Sequence, residues 1–119
     1  MSAAQELLLK GYEAFNARDL PGLRAVLHPQ GVWPDTLEGG NTRIEGIEAV
    51  MAHFTHLFAV LSPNIQLIRV IEETRDSLTV ESQHLVEDHQ GHIWSDTRAT
   101  LTYHFRDGLL SGMTILGGL

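Results

Sequence analysis

Apolar positions recur with the period of a helix up to Leu61 and with the period of a strand beyond Asn64. Leu8, Tyr12 and Phe15 share one side of a helical wheel, with Gln5, Glu6, Lys10, Glu13 and Arg18 elsewhere on it, so residues 3 to 18 are predicted helical. Asp19 is suited to cap a second, short helix that has Pro21 in its first turn. Leu23, Val26 and Leu27 give that helix its buried edge, and Pro29 closes it. Gly31 to Asp35 reads as a short strand, and Glu38 to Thr42 as a glycine-rich loop. Ile44 to Leu61 is predicted as a third helix. Its broad apolar stripe is Ile47, Val50, Met51, Phe54, Leu57, Phe58 and Leu61, and Ser62-Pro63 ends it.

From Asn64 onward the pattern alternates. Strands are predicted over Asn64 to Thr74, Ser77 to Glu87, His92 to Phe105 and Leu109 to Leu116, with turns at Arg75-Asp76, Glu87 to Gly91 and Arg106-Asp107-Gly108. Leu78, Val80, Ser82, His84 and Val86 lie on one face of the second of these. Helices followed by a meander predict the α+β class: a cone-shaped, curved antiparallel sheet packed against three N-terminal helices. A half-open cone leaves a pocket between helices and sheet, where small-molecule sites tend to lie. Residues 1 to 119 are long enough for a single domain with one core.

Composition narrows the function classes. Eight Lys and Arg against 15 Asp and Glu give a net charge of −7, which argues against a nucleic-acid partner and against an anionic membrane surface. No window approaches the roughly 18 apolar residues of a membrane span, and Met1 to Lys10 lacks the pattern of a signal peptide, so a cytoplasmic protein is expected. The absence of cysteine excludes disulfides, thiolate metal sites and cysteine nucleophiles. No phosphate-binding glycine loop is present, and no cofactor is expected.

One stretch carries a family resemblance. Asn16-Ala17-Arg18-Asp19-Leu20-Pro21-Gly22, then a short helix, then Asp35 on the first strand, resembles the nuclear transport factor 2-like superfamily. That superfamily includes ketosteroid isomerase and the SnoaL-type polyketide cyclases. By this resemblance Asp35 occupies the position of the general base that moves a proton on a carbon skeleton, and Met113 that of a pocket-lining methionine. The two oxyanion donors of ketosteroid isomerase are not matched. The family tyrosine falls at Gly11, with Tyr12 one place along and turned about 100° on an ideal helix. The family's protonated aspartate falls at Leu101. Without those donors, literal steroid isomerisation is not expected.

Each candidate residue has a chemical and a plain reading. Asp35, beside Trp33 and helix apolar residues, suits a partly desolvated base that takes a proton next to a carbonyl. It equally suits a turn-starting aspartate bonded to backbone amides. His84 on an apolar strand face suits a donor to a substrate oxygen, or a core histidine satisfied by protein. Tyr103 shares strand parity with Leu101 and Phe105, so its hydroxyl can replace the missing donor, or it is core with its hydroxyl reaching water. Tyr12, Phe15, Trp33, Phe54, Leu101, Met113 and Ile115 are the expected pocket walls, or plain core.

His53 and His56, three apart, would make a metal site only together with His84; no metal is expected, and a polar helix edge is the preferred reading. Asp96 and Arg98 resemble part of the Asp, Arg, Asp trio of limonene epoxide hydrolases, in reversed order. Strand parity turns both away from the pocket, with Trp94 and Thr100, toward the sheet face on which the family resemblance implies a homodimer contact.

The expected function is a cofactor-independent enzyme acting on a small, apolar, carbonyl-bearing molecule by proton transfer, of isomerase, cyclase or dehydratase type. Asp35 is the expected base, with His84 and Tyr103 stabilising the oxygen. The alternatives are a non-catalytic ligand-binding or assembly domain of the same fold, and an epoxide hydrolase-like enzyme.

Overall fold

The structure, a computed structural model, describes residues 1–35 and 42–119. Among the described residues, three helices, α1 (Ala3–Asn16), α2 (Leu20–Val26) and α3 (Ile47–Val60), pack against one six-stranded mixed sheet that does not close. Its strands are β1 (Leu27–Pro34), β2 (Arg43–Glu45), β3 (Ser62–Glu73), β4 (Ser77–Glu87), β5 (Ile93–Arg106) and β6 (Leu109–Gly117). The spatial order is β2-β1-β6-β5-β4-β3. Among the described residues, no helix is long and apolar enough to cross a membrane.

The turn chemistry read from the sequence operates at the start of the chain. Ser2 caps α1 by accepting from the Gln5 amide at 3.1 Å. Asp19 caps α2 by accepting from the Gly22 amide at 3.0 Å, with Pro21 in the first turn. Between the helices, Arg18 takes a left-handed backbone, and its guanidinium binds the Phe15 carbonyl and the Ser62 hydroxyl while lying over the Phe58 ring.

Asn16 has a structural task that its place in the motif did not disclose. Its side-chain amide donates to the Ile65 carbonyl and accepts from the Ile65 amide, both at 2.8 Å. It thereby supplies the hydrogen bonds that a neighbouring strand would give to β3, and ties α1 to the sheet edge. Ile65 is buried, so truncating Asn16 strands two backbone groups. Asn16→Ala is expected to cost about 2 kcal/mol. Urea unfolding checks this, and a change below about 0.5 kcal/mol would show that water replaces the amide.

The structure departs from the sequence reading in β1 and at the start of α3. The first strand begins at Leu27, not Gly31, and includes Pro29. It runs parallel to β6, with Leu27 opposite Leu110 and Val32 opposite Gly112, so one parallel pair joins the antiparallel meander. An irregularity between Leu27 and Val32 absorbs Pro29, which cannot donate to a ladder. The third helix begins at Ile47, not Ile44. Residues 43 to 45 pair instead with β1, Ile44 opposite Trp33, and Gly46 at φ +88° makes the turn into α3. Of the expected glycine-rich loop at Glu38 to Thr42, all but Thr42 lies outside the described residues.

The sheet's inner face is a set of cross-strand pairs: Leu78 with Tyr103, Val80 with Leu101, Ser82 with Ala99, His84 with Thr97, and Val86 with Ser95. Met113 and Ile115 of β6 lie beside Tyr103 and Leu101. The alternation of β4 holds over its whole length, so the inner face runs from apolar to polar along the strands.

Candidate functional site

Helices and inner sheet face enclose an open-ended cavity of about 540 Å³. Its walls include Leu8, Gly11, Tyr12 and Phe15 of α1, His53, Phe54 and Leu57 of α3, and Trp33 of β1. The sheet contributes Ile65, His84, Ser95, Thr97, Tyr103, Met113 and Ile115. Among the described residues, no Lys, Arg, Asp or Glu lines the cavity. Aromatic rings meet edge-on around the cavity: Trp33 stands 5.9 Å from Phe54, Phe54 6.0 Å from Phe15, and Tyr12 6.0 Å from Tyr103.

Two tyrosine hydroxyls converge in this apolar setting. Tyr12 and Tyr103 bond to each other at 2.9 Å, and Tyr12 bonds to the Ser82 hydroxyl at 2.7 Å. Three hydroxyls joined by two bonds use two of their three protons. Ser82 is fully buried in the sheet, whereas both tyrosines line the cavity, so a tyrosine can present the spare proton to a guest. Burial raises the Tyr12 pKa against the lowering effect of its two hydrogen bonds. Burial, the charge a Tyr12 phenolate would carry and the bond to Tyr12 raise that of Tyr103 well above its ordinary value. Both are phenols at neutral pH. The turn of about 100° between Tyr12 and the family tyrosine position therefore does not keep Tyr12 out of the cavity, because its long side chain reaches over Ser82.

Asp35 follows β1 and is not itself a cavity wall. Its side chain is 21% exposed, its amide donates to the Thr42 carbonyl, and its Oδ1 stands 3.7 Å from Nδ1 of His53. His53 is buried and does line the cavity. Burial depresses the His53 pKa; Asp35 opposes this and His56 adds to it. The pair therefore offers a carboxylate linked to an imidazole that faces the site, an arrangement suited to moving a proton. The sequence reading put His53 on a polar helix edge. The signal that places it in the wall was present, since Val50, His53, Phe54 and Leu57 follow the i, i+3, i+4, i+7 pattern of one helix face.

His84 lines the cavity from β4, and its Nε2 is buried with no hydrogen-bond partner among the described residues. Burial lowers its pKa to about 4, so it is neutral at physiological pH. Leu101 is wholly buried and is not among the wall residues; Tyr12, Phe15, Trp33, Phe54, Met113 and Ile115 are. His56 is exposed and does not accompany His53. No group of three His, Cys, Asp or Glu side chains could hold a metal among the described residues.

Asp96 and Arg98 are exposed on the outer sheet face, each hydrogen-bonded to Gln83. An epoxide hydrolase arrangement needs them inside, so their placement removes that alternative's charged trio. A second buried imidazole, His28, sits away from these groups. Its Nδ1 accepts from the Gln30 amide and its Nε2 donates to Asp107, which clamps β1 to the β5–β6 turn.

Comparison with known proteins agrees with this architecture. No curated protein sequence matches the chain. Rv0760c from Mycobacterium tuberculosis, solved in complex with estradiol-17β-hemisuccinate, is 21% identical with a TM-score of 0.85, covering 100% of this chain and 96% of its own. A computationally designed 17-OHP binder has 20% identity and a TM-score of 0.84, with 100% and 95% covered. A polyketide cyclase-like protein from Xanthomonas campestris has 16% identity and a TM-score of 0.78, with 95% and 88% covered. At such identities the likeness establishes the fold, the nuclear transport factor 2-like α+β cone. The profile of the SnoaL-like domain family matches residues 9–113, nearly the whole chain, and the protein belongs to that family.

Proposed function

We propose that this protein is a cofactor-independent enzyme that transfers a proton next to the carbonyl of a small, apolar molecule, in an isomerisation, cyclisation or dehydration. The observation that carries this reading is that one apolar cavity is lined both by His53, which Asp35 backs from outside the wall, and by the Tyr12–Tyr103 hydroxyls. Asp35 is the general base, working with His53, which stands between it and the cavity. A tyrosine hydroxyl donates to the oxygen on which negative charge develops, as Tyr103 was expected to do and as His84 can do from β4. The same fold in Rv0760c, solved in complex with estradiol-17β-hemisuccinate, and in the designed 17-OHP binder supports a small-molecule guest.

The test is the isomerisation of 3-cyclohexenone in deuterated buffer, followed by absorbance of the conjugated enone and by deuterium uptake. Both are expected to exceed the buffer rate. A ketone that binds without either change would overturn the catalytic reading in favour of a non-catalytic ligand-binding domain. One observation favours that second reading: the two tyrosine hydroxyls are already paired within the protein.

We propose further that the protein is cytoplasmic and a homodimer joined through the outer sheet face, where Trp94 is 66% exposed beside Asp96 and Arg98. Sedimentation equilibrium is expected to give twice the chain mass, and Trp94→Glu to halve it. A monomeric native protein would exclude the dimer.

A further inference from the structure

We propose that the cavity holds a flat, uncharged, oxygenated ring system at two points, the Tyr12–Tyr103 hydroxyl pair and Nε2 of His84, and that the second point selects the ligand. The inference rests on the reading of this cavity as the substrate site and adds the class of molecule that fills it. Four observations support it.

First, Nε2 of His84 is a buried polar atom without a protein partner, in a chain whose other buried side-chain nitrogens and oxygens are satisfied among the described residues. An unmet polar group of this kind costs stability, and a guest oxygen placed against it recovers the missing bond. Second, the two points are offset along the sheet. The Tyr12 hydroxyl sits on Ser82, and Ser82 and His84 are alternate residues on one strand face, about 7 Å apart along the strand. A guest that meets both must carry two polar atoms on separate parts of its framework.

Third, apart from His53, Ser95 and Thr97, the remaining walls are aromatic or aliphatic. The rings of Phe15, Trp33 and Phe54, together with the two tyrosines, favour a planar unsaturated guest. Fourth, no Lys, Arg, Asp or Glu side chain among the described residues lines the cavity. A charged guest atom would lose its hydration there without an opposite charge to replace it. The burial that keeps His84 neutral acts in the same direction.

The test compares naphthalene, 2-naphthol and 2,6-dihydroxynaphthalene, whose two oxygens lie at opposite ends of the ring system. Affinities are measured by fluorescence titration against the native protein, Tyr103→Phe and His84→Leu. In the native protein each hydroxyl is expected to tighten binding roughly tenfold, the worth of one well-made hydrogen bond. His84→Leu is expected to abolish the gain from the second hydroxyl while 2-naphthol binds within about twofold of the native affinity. Tyr103→Phe is expected to weaken both naphthols and leave naphthalene unchanged.

A second hydroxyl that adds nothing in the native protein, or whose gain survives in His84→Leu, would overturn the two-point reading and leave the cavity's role intact. Failure of all three compounds to bind would overturn both.

Discussion

Asp35→Asn is expected to lower the isomerisation rate of 3-cyclohexenone by 10²- to 10⁴-fold, the range that a positioned acid–base group supplies. Asparagine keeps the shape and the backbone contact to Thr42 but cannot take up a proton. His53 divides the possible mechanisms. If Asp35 acts through the imidazole, His53→Gln should lose nearly as much, and the double variant should lose little more than either single one. If Asp35 reaches the substrate directly, His53→Gln should lose about tenfold and the two losses should multiply.

The rate should also fall as the solution is acidified below the ordinary histidine range. Burial depresses the His53 pKa, so the imidazole stays neutral and able to accept a proton to a lower pH than in water. Replacing Asp35 removes the charge that opposes that depression, and a remaining acid limb should move to still lower pH. Unchanged rates in Asp35→Asn would end the base assignment.

The protein should lose stability on mild acidification through His84, by roughly 2.5 kcal/mol between pH 7.5 and 4.5. The sign follows from linkage. His84 has a pKa of about 4 when folded against 6.5 for an ordinary histidine. Between those values the unfolded chain binds the proton that the folded chain refuses, so stability is full above pH 6.5 and drains as pH falls toward 4. The buried His53 adds loss of the same sign. His84→Leu should remove its share of the slope and, at neutral pH, raise stability by about 1 kcal/mol by deleting an unsatisfied buried nitrogen. Urea midpoints at the two pH values for native protein and variant measure this directly. An identical slope in both would show that Nε2 is hydrated.

Stability gained and second-hydroxyl affinity lost in the same His84→Leu protein would mark the nitrogen as kept for binding. The contrast with His28 is instructive. Both imidazoles are on strands and largely covered, yet His28 has a partner on each ring nitrogen while His84 faces the cavity with one unmet.

How far the chain could be read in advance depended on the range of the forces involved. Helix α1, the Asp19 cap, strands β3 to β6 and their turns follow from periodicity and local turn chemistry, which act over a few residues. The inward face of β4, with His84 on it, follows from alternation alone. The outward placement of Asp96 and Arg98 does so as well, because no bulge reverses their parity. Three things lay beyond local pattern. The parallel pairing of β1 with β6 joins segments eighty or more positions apart, and a segment as short as residues 43 to 45 acquires strand structure only by pairing with β1. The double bond from Asn16 to Ile65 is likewise long-range.

Most of the site also lies beyond local pattern. Tyr12 and Tyr103 are ninety-one positions apart, and Tyr12 and Ser82 seventy, so their hydroxyl chain exists only where α1 crosses the sheet. His53 meets Asp35 because α3 lies over β1. The sequence by itself determined the elements, the inward and outward faces and an acidic, cysteine-free composition, since these are written in neighbouring side chains. Tertiary structure decided which polar atoms share the cavity and which one of them is left unpaired, since that depends on distances no local pattern encodes.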